Sequence, residues 1–127
     1  MIQTLLVFVG GGLGAACRHW VNIGSARAFG IGFPFGTVII NIVGSSLMGA
    51  LAAWFAFRAD AGLTQHMRLF LTTGILGGFT TFSAFSLDAV LLWERGEWGP
   101  AALYVILSVG LSLVGLVAGL ALVRSFS

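Results

Sequence analysis

Hydroxyl and amide side chains recur at helical spacing in two apolar segments of the chain. The two polar stripes are Thr37, Asn41 and Ser45 in one segment and Tyr104, Ser108 and Ser112 in the other. Residues four apart share one face of a helix, and buried amide or hydroxyl groups are costly without partners. The polar side chains of the two stripes therefore either hydrogen-bond to each other or line a hydrated path through the protein. Asn41, whose amide carries two donor hydrogens, favours the path.

A third apolar segment, residues 72–86, is rich in glycine and hydroxyl residues. Gly74, Gly77 and Gly78 lie in it, and glycine costs about 1 kcal/mol relative to alanine in a helix interior. Two interpretations fit this composition. The glycines could allow close packing between helices, or the helix could break here and release carbonyls that bind a small cation. The flanking hydroxyl groups favour the break, since freed carbonyls in a bilayer must find partners.

The titratable residues argue against proton coupling and catalysis. Proton-coupled exporters need an ionisable group inside the membrane, and no apolar segment carries one near its middle. His19 and His66 lie too close to the segment ends to activate a buried serine, so an enzyme is not expected. The remaining lining combines hydrogen-bond donors with phenylalanine edges, which carry the positive part of the ring quadrupole. This combination favours passive flow of a small anion.

The elements that must position these residues are predicted to be membrane helices. The chain has 127 residues, of which 58% are hydrophobic and 8% charged, whereas a soluble domain has about 25% charged residues. A span takes about 20 apolar residues, and four such runs cover residues 2–22, 34–57, 67–93 and 100–123. The predicted fold class is an all-α membrane protein, one membrane domain of four transmembrane helices in a lipid bilayer, with the third helix broken at its middle.

The arginines give the chain no preferred orientation in the membrane. With four spans, three arginines fall on each side, namely Arg58, Arg68 and Arg124 on one and Arg18, Arg27 and Arg95 on the other. The positive-inside rule then has no bias to act on. Both orientations are therefore expected, with pairing of two copies about a two-fold axis in the membrane plane. The scattered arginines also form no stripe for binding nucleic acid.

Two other classes of membrane protein share the short length of this chain. A small four-helix multidrug exporter needs a carboxylate inside its first helix, and residues 2–22 contain none. A lipid-packing subunit without transport activity would explain the glycines, but not two aligned polar stripes and a broken helix. The exporter is the alternative function to a channel.

The motifs of the second and third segments resemble those of the Fluc (CrcB) family of fluoride channels. The resemblance rests on the runs Gly74-x-x-Gly77-Gly78-Phe79-Thr80-Thr81-Phe82-Ser83-x-Phe85-Ser86 and Pro34-x-Gly36-Thr37-x-x-x-Asn41-x-x-Gly44. It extends over essentially the whole chain, from the glycine-rich first segment to the Tyr/Ser stripe of the last. It implies a channel that passively exports fluoride across the bacterial cytoplasmic (inner) membrane and so lowers intracellular fluoride.

The resemblance also implies an assembly and a set of site residues. The assembly is an antiparallel, dual-topology homodimer with two fluoride pores and a structural Na⁺ at its centre. The expected pore residues are Asn41, Phe82, Phe85, Thr81, Ser83, Tyr104, Ser108, Ser112, Thr37 and Arg18, and Na⁺ is expected on the main-chain carbonyls of Gly77 and Thr80. By this analogy Phe82 and Phe85 direct ring edges at fluoride, and Arg18 attracts anions in an aqueous vestibule. The role of Asp88 stays open.

Overall fold

The computed structural model describes residues 1–57 and 62–126, with the side chains of residues 62 and 63 left aside. The helices are α1 (Ile2–Phe29), α2 (Phe35–Ala56), α3 (Gly62–Arg68), a π-helical segment (Leu69–Leu76), α4 (Gly77–Phe79), α5 (Phe82–Glu94) and α6 (Trp98–Ser125). Four stretches are long and apolar enough to cross a membrane: Ile2–Phe29, Phe35–Ala56, Thr64–Glu94 and Trp98–Ser125. The prediction of an all-helical protein with four membrane-length helices is confirmed. Arg58, counted above among the arginines on one side of the membrane, lies outside the described residues.

The third long helix is interrupted at Thr80 and Thr81. Both residues have extended backbone angles, with φ −80° and ψ 157° at Thr80 and φ −152° and ψ 122° at Thr81. Thr81 starts α5 as its N-cap, because its Oγ1 accepts a hydrogen bond from the Ala84 N–H at 3.2 Å. The break therefore follows the glycines instead of falling on them, and a capping hydroxyl restarts the helix.

The glycines that precede the break serve close packing against α1. A Cβ atom at Gly10 would lie 2.7 Å from the Phe70 carbonyl oxygen and 3.0 Å from the Gly74 Cα. A Cβ atom at Gly78 would overlap the Gly11 carbonyl oxygen and lie 2.9 Å from the Gly11 Cα. These main-chain contacts are possible only without side chains, as at many helix contacts in membranes. The segment therefore combines close packing at the glycines with a helix break at the residues that follow them.

Helix α2 packs against α6 on one side and against the break on the other. On the α6 side, a Cβ atom at Gly119 would lie 2.8 Å from the Ala50 nitrogen. On the other side, a Cβ atom at Gly44 would overlap the Thr80 side chain and lie 3.4 Å from the Phe79 ring. The glycines thus bring α2 close enough for its polar side chains to reach the main chain at the break.

Helix α1 is longer than its apolar segment. It continues beyond Asn22 to Phe29, and Gly30 follows it with φ 79°, a left-handed conformation that glycine adopts without strain. The Gly30 N–H donates to the Ala26 carbonyl at 2.9 Å, which closes the last turn. The arginine at position 18 therefore lies inside the helix, about three turns before its end.

Candidate functional site

A groove of about 290 Å³ opens beside the break and brings together three of the long helices. Its lining residues are Asn41, Ser45, Thr80, Thr81, Phe82, Phe85, Ser108, Val109, Ser112 and Leu113. Members of both polar stripes and of the broken segment thus face one space. The groove includes Asn41, Thr81, Phe82, Phe85, Ser108 and Ser112 from the predicted pore set.

Asn41 is bonded to the main chain at the break. Its Nδ2 donates to the Thr81 carbonyl at 3.1 Å, and its Oδ1 accepts from the Thr81 N–H at 3.0 Å. The carboxamide thereby replaces, for one residue, the hydrogen bonds that the extended backbone has lost. One of the two Nδ2 hydrogens is used in this pair, which leaves the other as a donor in the groove.

A row of aromatic rings leads from Phe82 and Phe85, which line the groove, to Tyr104, which lies outside it. The ring centroids of Phe82 and Phe85 lie 5.6 Å apart at an interplanar angle of 41°, and those of Phe85 and Tyr104 lie 5.4 Å apart at 32°. Phe82 is 78% exposed in the single subunit, although it directly follows the break. A phenyl ring exposed at this position is accessible to whatever enters the groove.

Two buried hydroxyl groups face the groove without a bonding partner in the described part of the chain. These are the Oγ atoms of Ser108 and Ser112, and Ser108 is only 3% exposed. A buried hydroxyl left unsatisfied costs about 1–3 kcal/mol. Since α6 carries two of them one turn apart, they indicate a site for a hydrogen-bond acceptor.

Tyr104 and Thr37 lie away from the groove and bond to a carboxylate. The Tyr104 hydroxyl donates to Asp88 Oδ2 at 3.1 Å, and Thr37 Oγ1 donates to the same oxygen at 3.0 Å. Tyr104 is fully buried and meets the Phe33 ring edge-on, with centroids 5.6 Å apart. Asp88, whose role the sequence left open, is thus the common acceptor for two predicted pore donors. The signal was present in the sequence, because a carboxylate within an apolar segment requires partners.

The other two predicted pore residues lie outside the groove lining. Ser83 is exposed, and its Oγ lies 3.4 Å from Thr81 Oγ1, a distance at which either hydroxyl can donate. Arg18 is partly exposed on α1. The structure therefore does not bring Ser83 or Arg18 to the space that Asn41 and the two phenylalanines share.

The main chain at the break fits a cation that prefers oxygen ligands. In a continuous helix the Gly77 carbonyl accepts from the Thr81 N–H, and the Thr80 carbonyl accepts from the Ala84 N–H. Here those two N–H groups donate to Asn41 Oδ1 and to Thr81 Oγ1. Carbonyls of unwound membrane helices are known ligands for Na⁺. Among the described residues, no group of three or more His, Cys, Asp or Glu side chains could hold a metal instead.

The sequence matches a known family along nearly its full length. The family described as "CrcB-like protein, Camphor Resistance (CrcB)" matches residues 5–120. The chain belongs to the CrcB family. It is 66% identical over 123 residues to "Fluoride-specific ion channel FluC 2" of Nitrobacter hamburgensis, covering 97% of this chain and 98% of that protein.

Two further relatives of this CrcB chain bear the name "Fluoride-specific ion channel FluC". The protein of Rhodopseudomonas palustris strain BisB5 is 60% identical over 123 residues, with 97% and 98% of the two chains covered. That of Methylobacterium nodulans is 60% identical over 126 residues, with 99% of each chain covered. The family resemblance expected from the motifs is confirmed. Its relatives bear the names of ion channels and four of its helices are long and apolar enough to cross a membrane, so this CrcB protein is a multi-pass membrane protein and not an enzyme.

Proposed function

We propose that the chain forms a fluoride-selective channel that lets fluoride leave the bacterial cytoplasm passively. The observation that carries this proposal is the pair of buried, unpartnered hydroxyls of Ser108 and Ser112 on a groove that Phe82 and Phe85 also line. Such a lining supplies donors and positive ring edges and no charge, as suits a small anion. The names of the relatives support fluoride as that anion.

The arrangement supplies what a strongly hydrated anion needs on leaving water. A selective pore must replace hydration with donors held at close quarters. The remaining Nδ2 hydrogen of Asn41 and the two serine hydroxyls are such donors. Helix α5 also begins at the groove, and the N-terminus of a helix carries partial positive charge. Discontinuous helices in transporters direct their N-termini at anions in the same way.

The proposed assembly is an antiparallel homodimer in the inner membrane, with two pores related by symmetry. The groove is open on one subunit, and the exposed Phe82 lies at its edge. A second copy related by a two-fold axis would close both grooves at once, because such an interface uses the same surface on each subunit. The equal division of arginines supports both orientations in one membrane.

A structural Na⁺ at the centre of this dimer completes the proposal. Gly77 and Thr80 of both copies would hold it through their main-chain carbonyls, whose usual helical donors are bonded elsewhere. Gly77 is exposed on the single subunit, as a residue shared between two copies needs to be. The ion would supply positive charge that ties the two broken helices together.

Fluoride efflux from liposomes tests the channel. Purified protein is reconstituted into vesicles loaded with fluoride, chloride or a cationic dye, and release is followed after the membrane potential is clamped. We expect rapid fluoride release, slow chloride release and no dye release above protein-free vesicles. Dye release would support the exporter instead, and the absence of all release would contradict any transport function.

Labelling from one side of the membrane tests the assembly. In a Cys17→Ala background, Ser125→Cys places one thiol at the end of α6. A membrane-impermeant maleimide applied to intact cells is expected to label about half of these thiols if both orientations are equally populated. Labelling that is complete or absent would contradict the antiparallel arrangement.

A further inference from the structure

Two main-chain N–H groups at the break donate to side chains instead of to carbonyls four residues earlier. The Thr81 N–H donates to Asn41 Oδ1 at 3.0 Å, and the Ala84 N–H donates to Thr81 Oγ1 at 3.2 Å. In an uninterrupted helix, the acceptors would be the carbonyls of Gly77 and Thr80. These are the two carbonyls of the proposed cation site, so the same pair of side chains removes both competing donors.

We infer that Asn41 and Thr81 are positioning residues for the cation site, because their side-chain oxygens keep its carbonyls available. The inference rests on the proposed function, which places Na⁺ at Gly77 and Thr80. The second bond of Asn41, from Nδ2 to the Thr81 carbonyl, fixes the orientation of the amide. Oδ1 and not Nδ2 therefore faces the Thr81 N–H.

The same face of α2 supports the cation site and the anion groove. Gly44 follows Asn41 by three residues, about one helical turn, and it allows the Thr80 side chain to lie directly against α2. Asn41 itself lines the groove beside Phe82. One side chain thus contacts the anion path and sets the hydrogen bonding of the cation carbonyls, so its replacement alters both properties.

Two substitutions at position 41 separate the effect of Asn41 on the cation carbonyls from its contact with the anion path. Asn41→Leu keeps a side chain of similar size but removes the acceptor, so the Thr81 N–H returns to the Gly77 carbonyl and competes with the cation. Asn41→Asp keeps an oxygen acceptor for that N–H. We expect the apparent Kd for Na⁺, called the sodium midpoint below, to rise about tenfold in Asn41→Leu, equivalent to about 1.4 kcal/mol. In Asn41→Asp it stays within about threefold of wild type.

Sodium-dependent unfolding of the purified full-length protein measures this concentration without any transport. Thermal unfolding is followed by tryptophan fluorescence in fluoride-free buffer while Na⁺ replaces N-methylglucamine at constant ionic strength. A bound ligand has little effect below its Kd and stabilises in proportion to the logarithm of its concentration above it. The Na⁺ concentration at which the unfolding temperature begins to rise therefore gives the sodium midpoint, whatever the unfolding temperature of the variant without Na⁺. Ser46→Ala is the matched control, because Ser46 Oγ donates at 2.8 Å to the Ile42 carbonyl of the same helix, away from the break.

The outcomes distinguish the inference from the proposal beneath it. A folded Asn41→Leu protein with the wild-type sodium midpoint overturns the inference. If Asn41→Leu does not fold, Thr81→Ala and Thr81→Ser take its place, since only serine keeps the hydroxyl that accepts from Ala84. A raised midpoint in Thr81→Ala alone supports the inference, and equal midpoints in the two overturn it. A wild-type protein that Na⁺ does not stabilise overturns the proposed cation site itself.

Discussion

Replacing Gly14 with alanine tests whether the glycine contact between α1 and the third helix fixes the position of the break. The added Cβ would overlap the Ile75 carbonyl oxygen and lie 2.8 Å from the Phe79 nitrogen, and neither main-chain atom can rotate away. Forcing a methyl group into a packed interior costs about 1–3 kcal/mol. Contact with rigid backbone puts Gly14→Ala in the upper part of that range, and the better helix propensity of alanine offsets about 1 kcal/mol.

The free energy of unfolding of Gly14→Ala is therefore expected to fall by about 1–2 kcal/mol. Gly12→Ala is the matched control in the same helix, since no described atom lies within 4 Å of a Cβ at Gly12. Gly12→Ala gains only the higher helix propensity of alanine, so its free energy of unfolding is expected to exceed that of wild type by about 1 kcal/mol. The two substitutions should then differ by about 2–3 kcal/mol, although they add the same methyl group.

Reversible unfolding by a denaturing detergent in mixed micelles, followed by tryptophan fluorescence, measures this difference. The same proteins are reconstituted for fluoride efflux, which is expected to slow in Gly14→Ala because the shifted helix carries Thr81 and Phe82 with it. Equal stabilities for the two alanine variants would refute the packing argument. Lower stability with unchanged efflux would show that the contact stabilises the protein without positioning the groove.

Three other variants test the proposed pore directly by fluoride efflux. Asn41→Asp is expected to abolish efflux, because a negative charge replaces donor hydrogens beside the groove. Phe82→Ile combined with Phe85→Ile is expected to stop efflux by removing the ring edges, without unfolding the protein, because Phe82 is largely exposed and isoleucine keeps an apolar side chain against Tyr104 at position 85. Ser108→Ala is expected to slow efflux while raising the free energy of unfolding by about 1 kcal/mol, because it removes a buried hydroxyl that lacks a partner.

Each of these expectations has an opposite result that counts against it. Efflux at the wild-type rate from Asn41→Asp would mean that the amide is not beside the anion. The elution volume of the double phenylalanine variant shows whether it is folded. Normal efflux from the folded variant would mean that the two rings serve only packing. A destabilised Ser108→Ala would show that the hydroxyl has a structural partner and is not a free donor in the groove.

The helices and the existence of the break could be predicted from the sequence because hydrophobic length and glycine content are local properties. The exact site of the break could not. It depends on Thr81, which caps α5 through Ala84 and pairs with Asn41, forty residues earlier in the chain. Long-range pairing of this kind leaves no periodic pattern, so the glycines were the more visible feature.

The site residues likewise include some whose positions the sequence predicts and some whose positions it does not. Asn41, Phe82, Phe85 and the two serines of α6 reach one groove, and helical spacing predicted which residues of each helix share a face. Tyr104 has the same spacing as those serines, yet its hydroxyl bonds to Asp88 on α5. The packing of α5 against α6 decides which residue of a polar stripe meets an acceptor within the protein. The spacing of residues along the sequence does not predict this packing.

The cluster of Asp88 with Thr37 and Tyr104 lies outside the groove but adjoins it through the contact of Tyr104 with Phe85, so it would make the two ends of the proposed pathway chemically unlike. At one end the hydroxyls of Thr37 and Tyr104 donate to the Asp88 carboxylate. Further along α6, the two serine hydroxyls have no partner among the described residues. Each proposed pathway, considered by itself, would accordingly pass current more easily in one direction than in the other. In the proposed head-to-tail pair, one pathway of each sense lies across the bilayer, and the two asymmetries cancel. The cell then has no need to control which way up a newly made chain inserts.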